Sequence, residues 1–195
     1  VARSNRERTE ATRQALLDAA RVLFVSRGYG ETSTPDVCAA GGITRGALYH
    51  HFADKRDLFR HVLAEEAAAV AAEIEAAAPE GLEGAEALIA GAQAYLDAMT
   101  VPGRTRLLLI EGPAVLGWRE ALALDEAHAA RTLRDGLDAA GVGRHGGVAG
   151  ALAPLLSAAF DRAALEIEAG ADAARVRGAV LWLLRQVLGQ GPGPD

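Results

Sequence analysis

Three groups of residues in this 195-residue sequence have types and spacings that could do chemistry. The densest is TPDVCAAGGITRGALYHHF, Thr34 to Phe52, in which the hydroxyls of Thr34 and Thr44, the guanidinium of Arg45, the phenol of Tyr49 and the imidazole of His50 flank a Gly41-Gly42 turn. The second is a Gly-x-Gly-x-x-Gly string, Gly141 to Gly146, with Asp161 beyond it at about the separation of a ribose contact. The third consists of two pairs at helical spacing for a two-point metal site, His61/Glu65 and Asp125/His128.

Physical grounds separate the first group from the others. A dinucleotide fingerprint needs a preceding strand to aim its loop at a pyrophosphate, and the segment before Gly141, TLRDGLDAA, is helix-forming, so the string reads as a linker. Neither metal pair has a third ligand. The single cysteine, Cys38, has no partner for a disulfide or a zinc site and reads as a small core residue. No nucleophile elbow or His-Glu-x-x-His run occurs, so the sequence predicts no cofactor, no metal and no enzyme.

The elements that position the first group are helices. Alanine, leucine, arginine and glutamate recur at helical spacing along the chain, and alternating β-branched runs are missing. The pattern predicts an all-α fold of about nine helices. The first runs from about Arg6 to Arg27 and buries Leu16, Ala20, Leu23 and Phe24 before Gly28 stops it. Thr34 is expected to cap the next, with Pro35 at its first position, and Thr44 the one after. A fourth reads as continuous from Lys55 to Ala78, followed by Leu82–Met99, Arg104–Glu111, Trp118–Ala140, Val148–Glu168 and Asp172–Leu188. The divisions expected are a head over 1–55, a body over 56–190 and a disordered tail over 191–195.

Thr34 to Phe52 has the layout of a helix-turn-helix. Val37, Ile43, Leu48 and Phe52 pin its two helices, which leaves Arg45, Gly46, Ala47, Tyr49 and His50 on the opposite side of the second. That side is basic, small and hydrogen-bonding, as entry into a major groove requires. Charge agrees with this reading: residues 1–60 carry a net +3 and residues 61–195 a net −9, a basic head on an acidic body. No apolar run reaches membrane-spanning length and the N-terminus is polar, so a cytoplasmic chain with no membrane association is expected.

The run Gly42-Ile43-Thr44-Arg45-Gly46-Ala47-Leu48-Tyr49-His50-His51-Phe52-Ala53-Asp54-Lys55 resembles the DNA-binding head of the tetracycline-repressor (TetR) family. The likeness extends upstream through Ala19-Ala20, Leu23-Phe24, Gly28-Tyr29 and Thr34 and downstream to Leu58. It implies that Thr44, Tyr49 and Lys55, the only lysine, contact phosphates, that Arg45 reads a base, and that Ala47 meets a thymine methyl while Gly46 permits close backbone approach. With Thr34 and His50 these make up the expected DNA-binding set. Two positions depart from the family pattern: Pro35 stands where some members have a base-contacting arginine, and Gly41 where alanine is more common.

The same resemblance implies a ligand-responsive repressor that binds palindromic operator DNA as a homodimer and is released by a small, mainly hydrophobic effector. Tyr95, Met99, Leu108, Leu116, Trp118, Leu122, His128 and Phe160 are the expected pocket walls, Trp118 foremost because it follows the Gly112-Pro113 and Gly117 breaks. The last two helices are the expected dimer interface. Their stripes are Val148, Leu152, Leu155, Leu156, Ala159, Phe160 and Ala163 on one, and Val176, Val180, Leu183, Leu184, Val187 and Leu188 on the other. An all-α enzyme and a protein-binding module are the rival classes; neither accounts for a basic recognition helix.

Overall fold

The computed structural model describes residues 5–77, 82–142 and 149–189, which fold into helices with no strand among them. In chain order they are α1 (Asn5–Glu31), α2 (Thr34–Gly41), α3 (Arg45–His51), α4 (Lys55–Ala76), α5 (Gly84–Ala98), a π-helical segment (Arg106–Glu111), α6 (Gly112–Leu116), α7 (Trp118–Ala127), α8 (Ala129–Ala139), α9 (Ala149–Glu168) and α10 (Ala173–Val187). The all-α expectation holds, with ten α-helices among the described residues. The 191–195 tail, Val148 and the Gly143–Gly146 part of the glycine string lie outside the described residues.

The chain divides into two compact units. One comprises the chain up to Glu66 together with Arg106–Ala121; the other comprises Ala67–Thr105 and everything from Leu122 onward. The first unit therefore takes in more than the head read over 1–55. Arg106 donates to Phe24 O at 2.9 Å, Glu111 accepts from the Tyr29 N–H at 2.9 Å, and Arg56 donates to Leu116 O at 2.9 Å and pairs with Glu120, all of which tie Arg106–Ala121 to α1 and α4.

In the first unit the apolar stripe of α1 packs as expected, with Leu16, Leu17, Ala20, Leu23 and Phe24 buried. Gly28, at φ 82 and ψ 166, breaks the helix where the sequence indicated, and Glu31 closes a short turn beyond it. Tyr29 then folds back onto Phe24 and Phe59, ring centres 5.9 and 4.9 Å away, while Phe24 meets Phe59 edge-on at 5.0 Å. Each fully buried phenylalanine contributes about 1.5–3 kcal/mol through removal of apolar surface from water. Arg21 pairs with the buried Glu66, binding α1 to α4.

Three boundaries differ from the sequence reading. The cap of α2 is Ser33, not Thr34: its hydroxyl accepts from the Asp36 N–H, and the Asp36 carboxylate accepts from the Ser33 N–H, a reciprocal capping box that moves the start back by one residue. Gly112-Pro113 is no break. The wider π ladder of Arg106–Glu111 runs into α6, whose first turn tolerates Pro113 because its missing N–H has no helical partner there. The single helix read over Trp118–Ala140 is two, parted at His128 (φ −128, ψ −103), whose N–H donates three residues back to Asp125 O.

The second unit packs α5 against α8, α9 and α10, and α9 against both α8 and α10. Leu88, Leu96, Met99, Leu137, Leu156, Phe160 and Leu184 are buried in it. Gly136 lets α8 approach α5 closely, since a Cβ there would sit 2.6 Å from Leu88 Cδ1. Asp172 caps α10 by accepting from the N–H groups of Ala174 and Arg175. No helix among the described residues is long and apolar enough to cross a membrane.

Candidate nucleic-acid interface and an apolar cavity

The turn between α2 and α3 is made by Gly42, whose φ of 64 is open to glycine at little cost, and Thr44 caps α3 by accepting from the Ala47 N–H at 3.3 Å. Val37, Leu48 and Phe52 are buried and Ile43 is half-buried, so α3 is held by the side expected. Thr44, Arg45, Gly46, Tyr49 and His50 are exposed on the other, with Ala47 half-buried beside them.

Three of these side chains are organised against one another. The Tyr49 hydroxyl lies 3.3 Å from Thr34 Oγ1, joining the start of α2 to α3, and the Arg45 guanidinium stands 5.8 Å from the centre of the Tyr49 ring. The Thr34 hydroxyl and then Arg45 hold the phenol below its ordinary pKa. Tyr49 and Arg45 are thus presented on one face, a phenol and a guanidinium suited to phosphate and base-edge contacts respectively. Burial pushes the neighbouring His51 imidazole below its ordinary pKa, with His50 and Arg13 adding to the effect.

Lys55, at the start of α4, makes contacts inside the first unit. Its Nζ donates to Tyr29 O at 2.9 Å and Thr32 O at 3.0 Å and sits 4.1 Å from the centre of the Tyr29 ring. Two of its three donors are thus committed to the end of α1 and the residue that follows it, tying the start of α4 to that turn and leaving one donor over.

The second unit contains a cavity of about 320 Å³ between α4, α5, α8 and α9. Its wall includes Ile74, Leu88, Tyr95, Leu133, Ser157 and Phe160. Of the expected pocket residues, Tyr95 and Phe160 line it. Met99 does not and is core; Leu108 and Leu116 belong to the first unit. Trp118, the foremost expectation, is 68 % exposed in the first unit, because Gly117 turns the chain (φ 85) and starts α7 with that side chain in solvent. Leu122 is exposed as well, and His128 marks the α7–α8 break without lining the cavity.

Polar groups that the sequence reading missed stand behind this wall. Tyr95 Oη donates to Asp161 Oδ1 at 2.5 Å and Ser157 Oγ to Asp125 Oδ2 at 3.2 Å. Burial pushes the Asp161 carboxyl up to about 6, the Tyr95 hydrogen bond opposing and the Asp125 charge reinforcing; burial also raises Asp125. The available signal was Ser157 and Asp161, four residues apart on an otherwise apolar face of α9. Among the described residues no group of three His, Cys, Asp or Glu side chains could hold a metal ion.

A capped two-helix head with a basic, small-residue face, carried on an all-helical chain with an apolar cavity, defines a helix-turn-helix transcriptional regulator. Residues 16–62 match the profile of the bacterial regulatory proteins of the TetR family, and residues 85–191 that of the tetracyclin repressor-like C-terminal domain. A TetR-family transcriptional regulator from Pectobacterium atrosepticum is 32 % identical, with a TM-score of 0.71 over 99 % of this chain and 100 % of that one. The regulator AcrR of Shigella flexneri is 44 % identical over 62 residues, 32 % of this chain and 29 % of AcrR, and the repressor BepR of Brucella suis 40 % over 52 residues, 27 % of this chain and 25 % of BepR. The chain thus spans less than a third of the length of these curated relatives. It belongs to the TetR family of DNA-binding transcriptional regulators.

Proposed function

We propose that the chain is a repressor that binds palindromic operator DNA as a homodimer and lets go when a small, mainly apolar effector fills the cavity of the second unit. The observation that carries the effector part is the cavity itself, about 320 Å³ in size and walled chiefly by aliphatic and aromatic side chains. Arg45 reads a base edge, Thr44 and Tyr49 with Thr34 behind it engage phosphates, Gly46 and Ala47 allow close approach, and His50 borders the contact. Lys55 braces the start of α4 on the end of α1 and offers its remaining donor to a phosphate.

The homodimer is supported by the outer faces of α9 and α10. Leu156, Phe160, Ala163, Val180 and Leu184 from the expected stripes are buried within the chain's own core and are withdrawn from the interface. Leu155 and Leu183 remain exposed, joined by Trp182, which the sequence reading left out. Exposed large apolar residues on two neighbouring helices suit a two-fold four-helix contact. Coupling between effector and DNA is assigned to α4, which contributes residues to both compact units.

The test is binding of the protein to its own upstream DNA, followed by fluorescence anisotropy at two salt concentrations against a random duplex. A specific complex at least a thousandfold tighter than the random one is the usual margin for such regulators, by about 4 kcal/mol or more. Equal affinity for both duplexes would refute operator recognition.

A further inference from the structure

The three hydroxyls in the cavity wall all spend their proton on the protein. Tyr95 donates to Asp161, Ser157 to Asp125, and Thr132 to Ala129 O at 2.8 Å. A hydroxyl has a single proton, so what these groups turn toward an occupant is lone pairs. Glu75 and Asp135 also border the cavity, and no lysine, arginine or histidine is among its described wall residues. Arg131 is held on the outer wall residue Glu75 by an ion pair at 3.2 Å and does not itself line the cavity, and Arg134 is paired with Glu126. Tyr95 and Phe160, edge to face at 5.9 Å, add aromatic surface that attracts a cation and repels an anion.

Polar acceptors backed by carboxylates, with no donor to answer an anion, make the cavity selective by charge. We infer that its effectors are apolar amines, a compact hydrocarbon body carrying a protonated nitrogen, and that carboxylic acids of the same shape are rejected. This rests on the reading of the cavity as the effector site. The ammonium donates to the Tyr95 and Ser157 oxygens while its charge is balanced by Asp161 and Asp125 behind them. The hydrocarbon body fills the space between Ile74, Leu88 and Leu133.

Asp161 makes the selectivity depend on pH. The groups acting on it are the Tyr95 hydroxyl on α5 and Asp125 on α7; Asp125 in turn has Ser157, Glu126 and His128 as its neighbours. Above about 6 the Asp161 carboxylate is ionised and attracts the amine; below, it is neutral and does not.

The experiment uses three molecules of one shape: 1-adamantanemethylamine, 1-adamantanemethanol and 1-adamantanecarboxylate, titrated calorimetrically into the full chain at pH 7.5 and pH 5. The amine is expected to bind about tenfold tighter than the alcohol at pH 7.5, and the carboxylate weaker than both. At pH 5 the advantage of the amine should shrink severalfold while the alcohol is unchanged. In Asp161→Asn, with folding verified by circular dichroism, the amine's advantage over the alcohol at pH 7.5 should fall severalfold, Asp125 supplying what remains. An alcohol or carboxylate that binds as tightly as the amine overturns the charge selectivity and leaves the cavity reading standing. Failure of all three to bind overturns the cavity reading and the inference together. The pH comparison needs no substitution, so a misfolded variant does not remove the test.

Discussion

Arg45 and Lys55 are ten residues apart, and the structure places them in opposite settings. Arg45 is exposed beside Tyr49 on the outer face of α3, whereas Lys55 is turned inward onto two carbonyl oxygens at the end of α1. Arg45→Ala is expected to cost about 1–3 kcal/mol on the specific site and to relax discrimination at one base pair, read by anisotropy on a set of single-substituted duplexes. Equal losses on specific and random DNA would sink the base-reading role. Lys55→Ala is expected to lower the melting temperature of the free protein as well as to weaken all duplexes by a similar factor, a pairing that a phosphate contact alone would not produce. In the second unit, Asp161 holds its proton up to about 6 because it is buried. The native state then retains a proton that the unfolded chain releases near pH 4, so the stability due to this group falls as pH rises from about 4 to about 6 and is level above. Asp161→Asn should abolish that slope, matching the parent near pH 4 and exceeding it by about 1–3 kcal/mol at pH 7.5 in urea unfolding.

Helix starts and stops in the head were legible because each is set by one residue type at one place. Gly28, Gly42 and Thr44 do what their chemistry indicates. The one-residue error at Ser33 arose from two adjacent hydroxyls, of which only Ser33 has an acidic partner three residues on, Asp36. The break at His128 left no trace in the sequence, since neither glycine nor proline is near it; beyond it α8 packs on α5 and α9. Gly41, by contrast, is a helical residue at the end of α2 with ordinary room for a methyl group, its would-be Cβ lying 3.4 Å from Ala15 O and 3.5 Å from Ala19 Cβ. Gly41→Ala is therefore expected to stabilise the protein by about 0.4–1 kcal/mol through the unfolded chain, measured by thermal unfolding. Destabilisation would mean that the turn needs glycine at both positions.

For the whole molecule, sequence separated the basic head from the rest but did not reveal which body residues face a cavity and which the core. Tyr95 and Phe160 share a wall although they lie on α5 and α9, and no periodicity encodes that meeting. Trp118 misled because an aromatic beside glycines fits a cavity mouth and a solvent-facing helix start equally well. The two apolar stripes of the last helices were visible, yet splitting them into inner and outer faces required the packing of α9 on α10. Trp182, 56 % exposed, decides the outer face. On the proposed homodimer, Trp182→Arg is expected to leave helicity intact, to yield a monomer in sedimentation at micromolar concentration where the parent sediments as a dimer, and to remove tight binding to a palindromic site while sparing weak binding to a half-site. A variant that stays dimeric would relocate the interface.

Six residues from Arg106 to Glu111 close hydrogen bonds at π spacing, so the stretch holds one residue more than an α ladder of the same rise. It is a place where the chain can lose length without losing register. Deleting Leu109 should rewind the segment as ordinary α-helix and leave both of its anchors, Arg106 on Phe24 O and Glu111 on the Tyr29 N–H, within reach. Deleting Ala69 from the regular α4 instead turns every later side chain of that helix by about 100°. A single-residue deletion is therefore expected to keep a cooperative melt in the first case and to lose it in the second.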